Sequence, residues 1–224
     1  MKLKAIPKNK HLFSGLFFIL LLAFMLLTGF IALEPPQSTD IRVSKLIQEQ
    51  HSNSLNTLMQ SISWMGKTSV ASVLVTITII LLAAFRYKKE ALLISGTLIS
   101  SGLCLLLKIL INRPRPTTDF AIILEDAKFQ SFPSGHTLFY TVFFGSIIII
   151  IYYHKKMNKV LKAFLITFFI FLIFLGGISR IYLGAHWFSD VMGSLLLGIM
   201  FLMVTGYYYR RSILAERGGL YFTD

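Results

Sequence analysis

The chain has 224 residues, of which 55% are hydrophobic and only 14% charged, yet its net charge is +12 and its mean hydropathy +0.70. A soluble domain holds about 25% charged residues, so this balance excludes an ordinary soluble globule and indicates a protein whose solvent is the bilayer. The basic residues fall in short runs between apolar stretches, a pattern of membrane topology rather than of a nucleic-acid footprint, and no nucleic-acid partner is expected. The single cysteine, Cys104, sits inside an apolar stretch, which leaves no internal disulfide and no cysteine-rich metal site.

A helix needs about 20 apolar residues to cross a bilayer. The first such run, about 12–33, follows Lys2, Lys4, Lys8 and Lys10. It is longer than the roughly 7–15 apolar residues of a secretory signal and lacks a convincing cleavage pattern, so it reads as an uncleaved first span. Glu34-Pro35-Pro36 stops it. Leu55, Leu58, Met59, Ile62 and Met65 then recur at helical spacing beside Trp64, which predicts a helix lying at the interface or packed on the bundle. Further apolar runs follow at about 68–85, 91–111, 136–153, 160–178 and 188–209, with a longer loop at 112–135. The expected fold is all-α: one polytopic membrane helical bundle over residues 1–224, with six transmembrane helices and an interfacial helix between the first two.

Orientation follows from the lysines and arginines. With the N-terminus inside, cytoplasmic segments hold 14 of the 22 basic residues, among them Arg86, Lys88, Lys89, Lys155, Lys156, Arg210 and Arg211. The positive-inside rule then predicts a multi-pass protein of the cell (inner) membrane with both termini cytoplasmic. The 112–135 loop and the 179–187 turn face the other, extracytoplasmic side.

Three clusters converge on that side. Lys108 stands near the end of the third span, six residues before Arg115-Pro116. Alone it also fits a snorkelling lysine beside a basic turn; as a pair, the two cations suit a phosphate clamp, the arginine bidentately. Pro133-Ser134-Gly135-His136 directly precedes the fourth span. Ser134 suits an N-cap, and the free N–H groups of a helix start, with Gly135 allowing close approach, suit an anion. Ser179-Arg180, five residues, His186, three residues and Asp190 form the third cluster. A helical start to the sixth span would put His186 and Asp190 on one face, where the carboxylate fixes the ring tautomer and frees the other nitrogen as a nucleophile. An ion pair between Arg180 and Asp190 with a bystander histidine is the plainer alternative. Ionisable residues are costly near lipid and normally face a protein interior or aqueous cavity, so their arrival from four spans at one membrane level favours a shared site.

Together, Lys108-x6-Arg115-Pro116, Pro133-Ser134-Gly135-His136 and Ser179-Arg180-x5-His186-x3-Asp190 resemble the complete three-part signature of the type 2 phosphatidic acid phosphatase family, with no departure at any signature position. The resemblance implies a helical core shared with soluble bacterial acid phosphatases and vanadium haloperoxidases. It also implies metal-free phosphatase chemistry through a phosphohistidine, so no cofactor and no metal are expected. On this reading His186 attacks phosphorus, Asp190 holds its ring, and His136 protonates the leaving oxygen. Lys108, Arg115 and Arg180, with Ser134 and the Gly135 N–H, hold the phosphate oxygens. The expected partners are a lipid phosphate substrate and membrane lipids. Within the family the layout most resembles enzymes acting on undecaprenyl diphosphate, phosphatidylglycerophosphate or phosphatidic acid, the first being preferred because that carrier is recycled on the outer leaflet. A lipid A phosphatase, a lipid phosphotransferase and a non-enzymatic anion or lipid transporter are the alternatives; no inverted repeat is visible to favour the last.

Overall fold

The computed structural model describes residues 10–33 and 38–219, and among these every regular element is a helix. Lys2, Lys4, Lys8 and the expected stop at Glu34-Pro35-Pro36 lie outside the described residues. In chain order the helices are α1 (Lys10–Leu33), α2 (Ser38–Gln48), α3 (Asn53–Met65), α4 (Thr68–Ala84), α5 (Lys88–Ile111), α6 (Gly135–Tyr153), α7 (Lys159–Tyr182) and α8 (Phe188–Gly219). Five of them, α1, α5, α6, α7 and α8, are long and apolar enough to cross a membrane. At 1.5 Å per residue the 24 residues of α5 or α7 reach about 36 Å, against a hydrocarbon core of about 30 Å. The 17-residue α4 falls short alone; joined to α3 across a 51° bend it forms a sixth, broken candidate.

Leu22, Leu26 and Phe30 of α1, Ile99 and Ile109 of α5, and Phe171 and Phe174 of α7 are all exposed. Water would not tolerate such a belt, whereas lipid tails do, so the chain is a multi-pass membrane protein. At the centre stands α6, packed on α5, α7 and α8. Close helix approach there depends on small residues: a Cβ at Gly176 of α7 would meet the Tyr140 ring at 2.6 Å, and one at Gly198 of α8 would meet Thr141 at 2.6 Å. On the periphery, α1 lies along α8, and α4 along α5.

The segment before α4 departs from expectation, holding two helices rather than one. The unforeseen α2 buries Asp40, Ser44 and Gln48, a polar stripe at i, i+4 and i+8. Its inward face is thus the reverse of the usual amphipathic pattern, and apolar periodicity cannot detect it. Gln48 explains the inversion by donating from Nε2 to the carbonyls of Ile122 at 2.8 Å and Tyr182 at 2.9 Å, tying α2 to the loop and to α7. In α3, Met59 and Ile62 are buried while Leu58 and Trp64 face outward, and the helix packs on α7.

Candidate active site at one end of the bundle

Four helix ends meet at one pole. α5 stops at Asn112, whose left-handed φ of 49° turns the chain and whose N–H caps the Lys108 carbonyl. Arg113-Pro114-Arg115-Pro116 cannot continue a helix, so the chain leaves as a loop. α6 begins where the Ser134 hydroxyl accepts from the Thr137 N–H at 3.4 Å and from the Thr137 hydroxyl at 3.0 Å. α7 ends in a turn at Gly184, where φ is +69° and a Cβ would stand 2.2 Å from the Ile122 carbonyl oxygen. Both the backbone angle and the space require glycine.

That turn corrects one expectation. His186 precedes α8 and so shares no helical face with Asp190. The N–H groups of Ala185 and His186 instead donate to the Arg180 carbonyl at 3.1 and 3.2 Å, curling His186 back over the first turn of α8. Its Nδ1 then lies 3.2 Å from Asp190 Oδ2.

Asp190 is fully buried and accepts hydrogen bonds from the Trp187 N–H at 2.9 Å, the Ser131 hydroxyl and Arg113 Nη1. On the far side of the imidazole, His186 Nε2 lies 3.2 Å from Arg115 Nη1. An arginine has only donors, so Nε2 presents its lone pair there and the ring proton sits on Nδ1, facing Asp190. Burial, and after it the charges of Arg115, Arg180 and Lys108, hold the His186 pKa well below its ordinary value. The ring is therefore neutral at pH 7, with a free electron pair aimed into the site.

The cations around it are positioned by backbone and acid groups. Lys108 donates to the carbonyls of Gln130 at 2.5 Å and Ser131 at 3.2 Å. Arg115 donates to the carbonyls of Ala185, Phe129 at 2.7 Å and Lys128 at 2.9 Å. Arg180 Nη1 bonds the Ser63 hydroxyl and Glu125 Oε2, the latter at 2.9 Å. Burial pushes the Glu125 carboxyl up, but the Arg180 charge and the hydrogen bonds from Arg180 and Ser63 outweigh it, leaving the pKa below the usual carboxylate value. His136 Nε2 is buried with no hydrogen-bond partner among the described residues.

Of the eight residues expected, Lys108, Arg115, Gly135, His136, Arg180 and His186 line one cavity of about 850 Å³. Asp190 stands behind His186, and the Ser134 hydroxyl is turned into the α6 cap. The cavity continues between α4 and α5 along Ala71, Val75, Leu98 and Leu105, so a charged pocket opens onto an apolar slot. Sequence reasoning passed over Glu125, Ser63, Arg113 and Asp40. Arg113 lies two residues before Arg115 in a proline-rich basic turn, and Asp40 belongs to the inverted stripe of α2. One usable signal was Ser38-Thr39-Asp40 following two prolines, the composition of a helix start.

Residues 89–214 match the family model described as the PAP2 superfamily. The chain is 33% identical over 204 residues to phosphatidylglycerophosphatase B of Bacillus subtilis (strain 168), covering 84% of this chain and 92% of that protein. It is 32% identical over 146 residues to a lipid A 1-phosphatase of Rhizobium etli, covering 58% of each. Among solved structures it resembles the transmembrane PAP2-type phosphatidylglycerolphosphate phosphatase of Bacillus subtilis, with a TM-score of 0.74 and 27% identity over 87% of this chain and 96% of that one. Aquifex aeolicus LpxE shares the fold, with a TM-score of 0.60 and 24% identity over 79% of this chain and 97% of that one. A family model fitting from α5 into α8, and a relative aligned along most of both chains, make this protein a member of the PAP2, or type 2 phosphatidic acid phosphatase, superfamily and a membrane lipid phosphatase.

Proposed function

We propose that this phosphatase hydrolyses a lipid phosphate or diphosphate at the extracytoplasmic face through a phosphohistidine on His186. The observation that carries the reading is the two-part cavity, cationic at its closed end and apolar between α4 and α5. A head-group phosphate fits the first part and a lipid chain the second. Arg86, Lys88, Lys155, Lys159 and Arg210 stand at the opposite ends of the helices from the site, which supports, by the positive-inside rule, cytoplasmic termini and an outward-facing pocket in a single-domain inner-membrane protein.

In the first step the Nε2 lone pair of His186 attacks phosphorus, and the bond to the leaving oxygen breaks. His136 gives that oxygen its proton, so the lipid departs as a neutral alcohol or, from a diphosphate, as a singly protonated monophosphate. Arg115 moves from Nε2 onto an equatorial oxygen, joined by Lys108, Arg180 and the Gly135 N–H. Ser134 serves by capping α6 and so holding that N–H open. Such fixed positive groups stabilise the charge spread over a metaphosphate-like transition state. Asp190 stabilises the positive charge on the phosphorylated imidazole. In the second step water attacks phosphorus, the N–P bond breaks, and His136 takes the proton of the water. Every group in the scheme belongs to this chain, and none needs a metal ion.

Undecaprenyl diphosphate and phosphatidylglycerophosphate are the leading substrates. The first fits an outward-facing site that serves a recycled carrier, the second the name of the Bacillus subtilis relative. A lipid A phosphatase is the second reading, favoured by the 32% identity to the Rhizobium protein. The deciding experiment is phosphate release from a panel of these lipids by purified protein, with His186→Ala as control and product analysis with added acceptor lipid. Loss of release in His186→Ala is expected; retained turnover by the folded variant overturns the nucleophile, and phosphate appearing on the acceptor makes the enzyme a phosphotransferase.

A further inference from the structure

Behind the catalytic pair runs a buried chain of charge that the proposed mechanism does not use. Arg113 is 2% exposed and Asp40 1% exposed. Arg113 Nη1 bonds Asp190 Oδ1, while its Nη2 bonds Asp40 Oδ2 at 2.6 Å. Asp40 Oδ1 accepts from the Ser189 N–H and the Ser189 hydroxyl, each at 2.8 Å. A carboxylate at the start of α2 therefore caps α8 from 149 residues away in sequence and grips the arginine that grips Asp190.

We propose that Asp40 and Arg113 are positioning residues, which fix the Asp190 carboxylate and set the negative charge it presents to His186. The inference rests on the phosphohistidine reading. Its physical basis is charge count. Asp190 with Arg113 alone would be a neutral pair, leaving little to stabilise a positive imidazole. The trio Asp40, Arg113 and Asp190 carries net −1, so one negative charge remains for the phosphorylated ring. Arg113 at the same time prevents two buried carboxylates from raising the proton affinity of the free imidazole. The remaining charged or titratable groups lining the cavity with His186 are Lys67 at the α3–α4 break, Lys108 from α5, Arg115, Glu125, Asp126 and Lys128 from the loop, His136 from α6 and Arg180 from α7. Removing one member of the trio leaves all of these unchanged.

The two ends of the chain should therefore act in opposite senses. Asp40→Asn removes a negative charge, so protonation of His186 becomes harder, and the acid limb of kcat/KM moves to lower pH. Arg113→Met removes a positive charge, and the limb moves to higher pH. Each shift should approach roughly one unit for a buried charge at this range, and kcat should fall about tenfold in both with KM nearly unchanged. The experiment records pH profiles for wild type, Asp40→Asn, Arg113→Met and His186→Ala on one lipid phosphate, with folding checked by thermal melting in detergent. Opposed shifts support the proposal. Profiles that superimpose on wild type, or shifts of one sign, overturn it, because a purely structural role lowers kcat without moving the limb in opposed directions. Asp40→Asn is nearly isosteric and can still accept from Arg113 and donate to the Ser189 hydroxyl. Should Arg113→Met not fold, the Asp40→Asn shift decides alone, downward supporting and unchanged or upward overturning. Turnover in His186→Ala would instead defeat the phosphohistidine reading itself.

Discussion

Gly66 offers a perturbation whose size can be read from the structure. It sits at the break between α3 and α4 with an ordinary helical backbone, φ −85° and ψ −3°, so alanine fits the backbone without strain. The obstacle is space alone. A Cβ there would stand 2.4 Å from Cδ2 and 2.9 Å from Cγ of His136, and 3.1 Å from Cε2 of Tyr140. Carbon atoms in contact prefer about 3.5–4.0 Å, so the imidazole must retreat by about 1 Å or more. The break cannot easily slide instead, because the Tyr140 hydroxyl bonds the Ile62 carbonyl just before it. A misplacement of about 1 Å in a reacting group costs on the order of 10²-fold in rate, about 2.7 kcal/mol of barrier. Gly66→Ala should therefore lower kcat about a hundredfold while the protein still melts cooperatively in detergent. The assay is phosphate release at saturating lipid, with Gly29→Ala in α1 as the reference, since a Cβ there meets nothing within 4 Å. Gly66→Ala turning over within about threefold of wild type would refute the placement of His136 as the proton donor.

The remaining expectations concern protons, an ion pair and metals. Because the folded His186 pKa lies well below the ordinary value of 6.5, the ring is neutral at pH 7; since His136 must also carry a proton, kcat/KM should be bell-shaped, with the acid limb that reports His186 centred below about pH 6.5. A midpoint above pH 6.5 for the His186 ring itself, followed by NMR in protein free of phosphate substrate, would contradict the depressed pKa. Glu125→Gln removes the acid that pairs with Arg180 at 2.9 Å, so inorganic phosphate should inhibit roughly 3–10-fold more strongly, matching about 1 kcal/mol for a partly exposed pair. Weaker inhibition would mean that Glu125 holds Arg180 in its binding pose rather than competing for it. Exhaustive chelation should leave turnover unchanged; loss restored by one added divalent ion would require a metal in the mechanism.

Much of this protein is legible from composition and spacing. Long apolar runs must become helices because lipid offers backbone groups no other partner, so α1 and α5 to α8 follow from hydropathy. The recurring Lys108, Arg115, His136, Arg180, His186 and Asp190 sit at the ends of those runs, and fixed helix lengths bring the ends to one level. What hydropathy could not supply is whatever depends on contacts between distant segments. α2 turns a polar stripe inward, and only Gln48 meeting Ile122 and Tyr182, and Asp40 meeting Arg113 and Ser189, make that face stable. The pairing of His186 with Asp190 arises from the Gly184 turn wrapped on the Arg180 carbonyl, not from the helical period. Gly66 matters only because His136, 70 residues later in the chain, lies against it. Sequence alone determined five of the spans and the ionisable residues at their ends, since both depend on local composition. Tertiary structure decided which buried charge balances which, because a charge in low dielectric takes its properties from neighbours that only packing assembles.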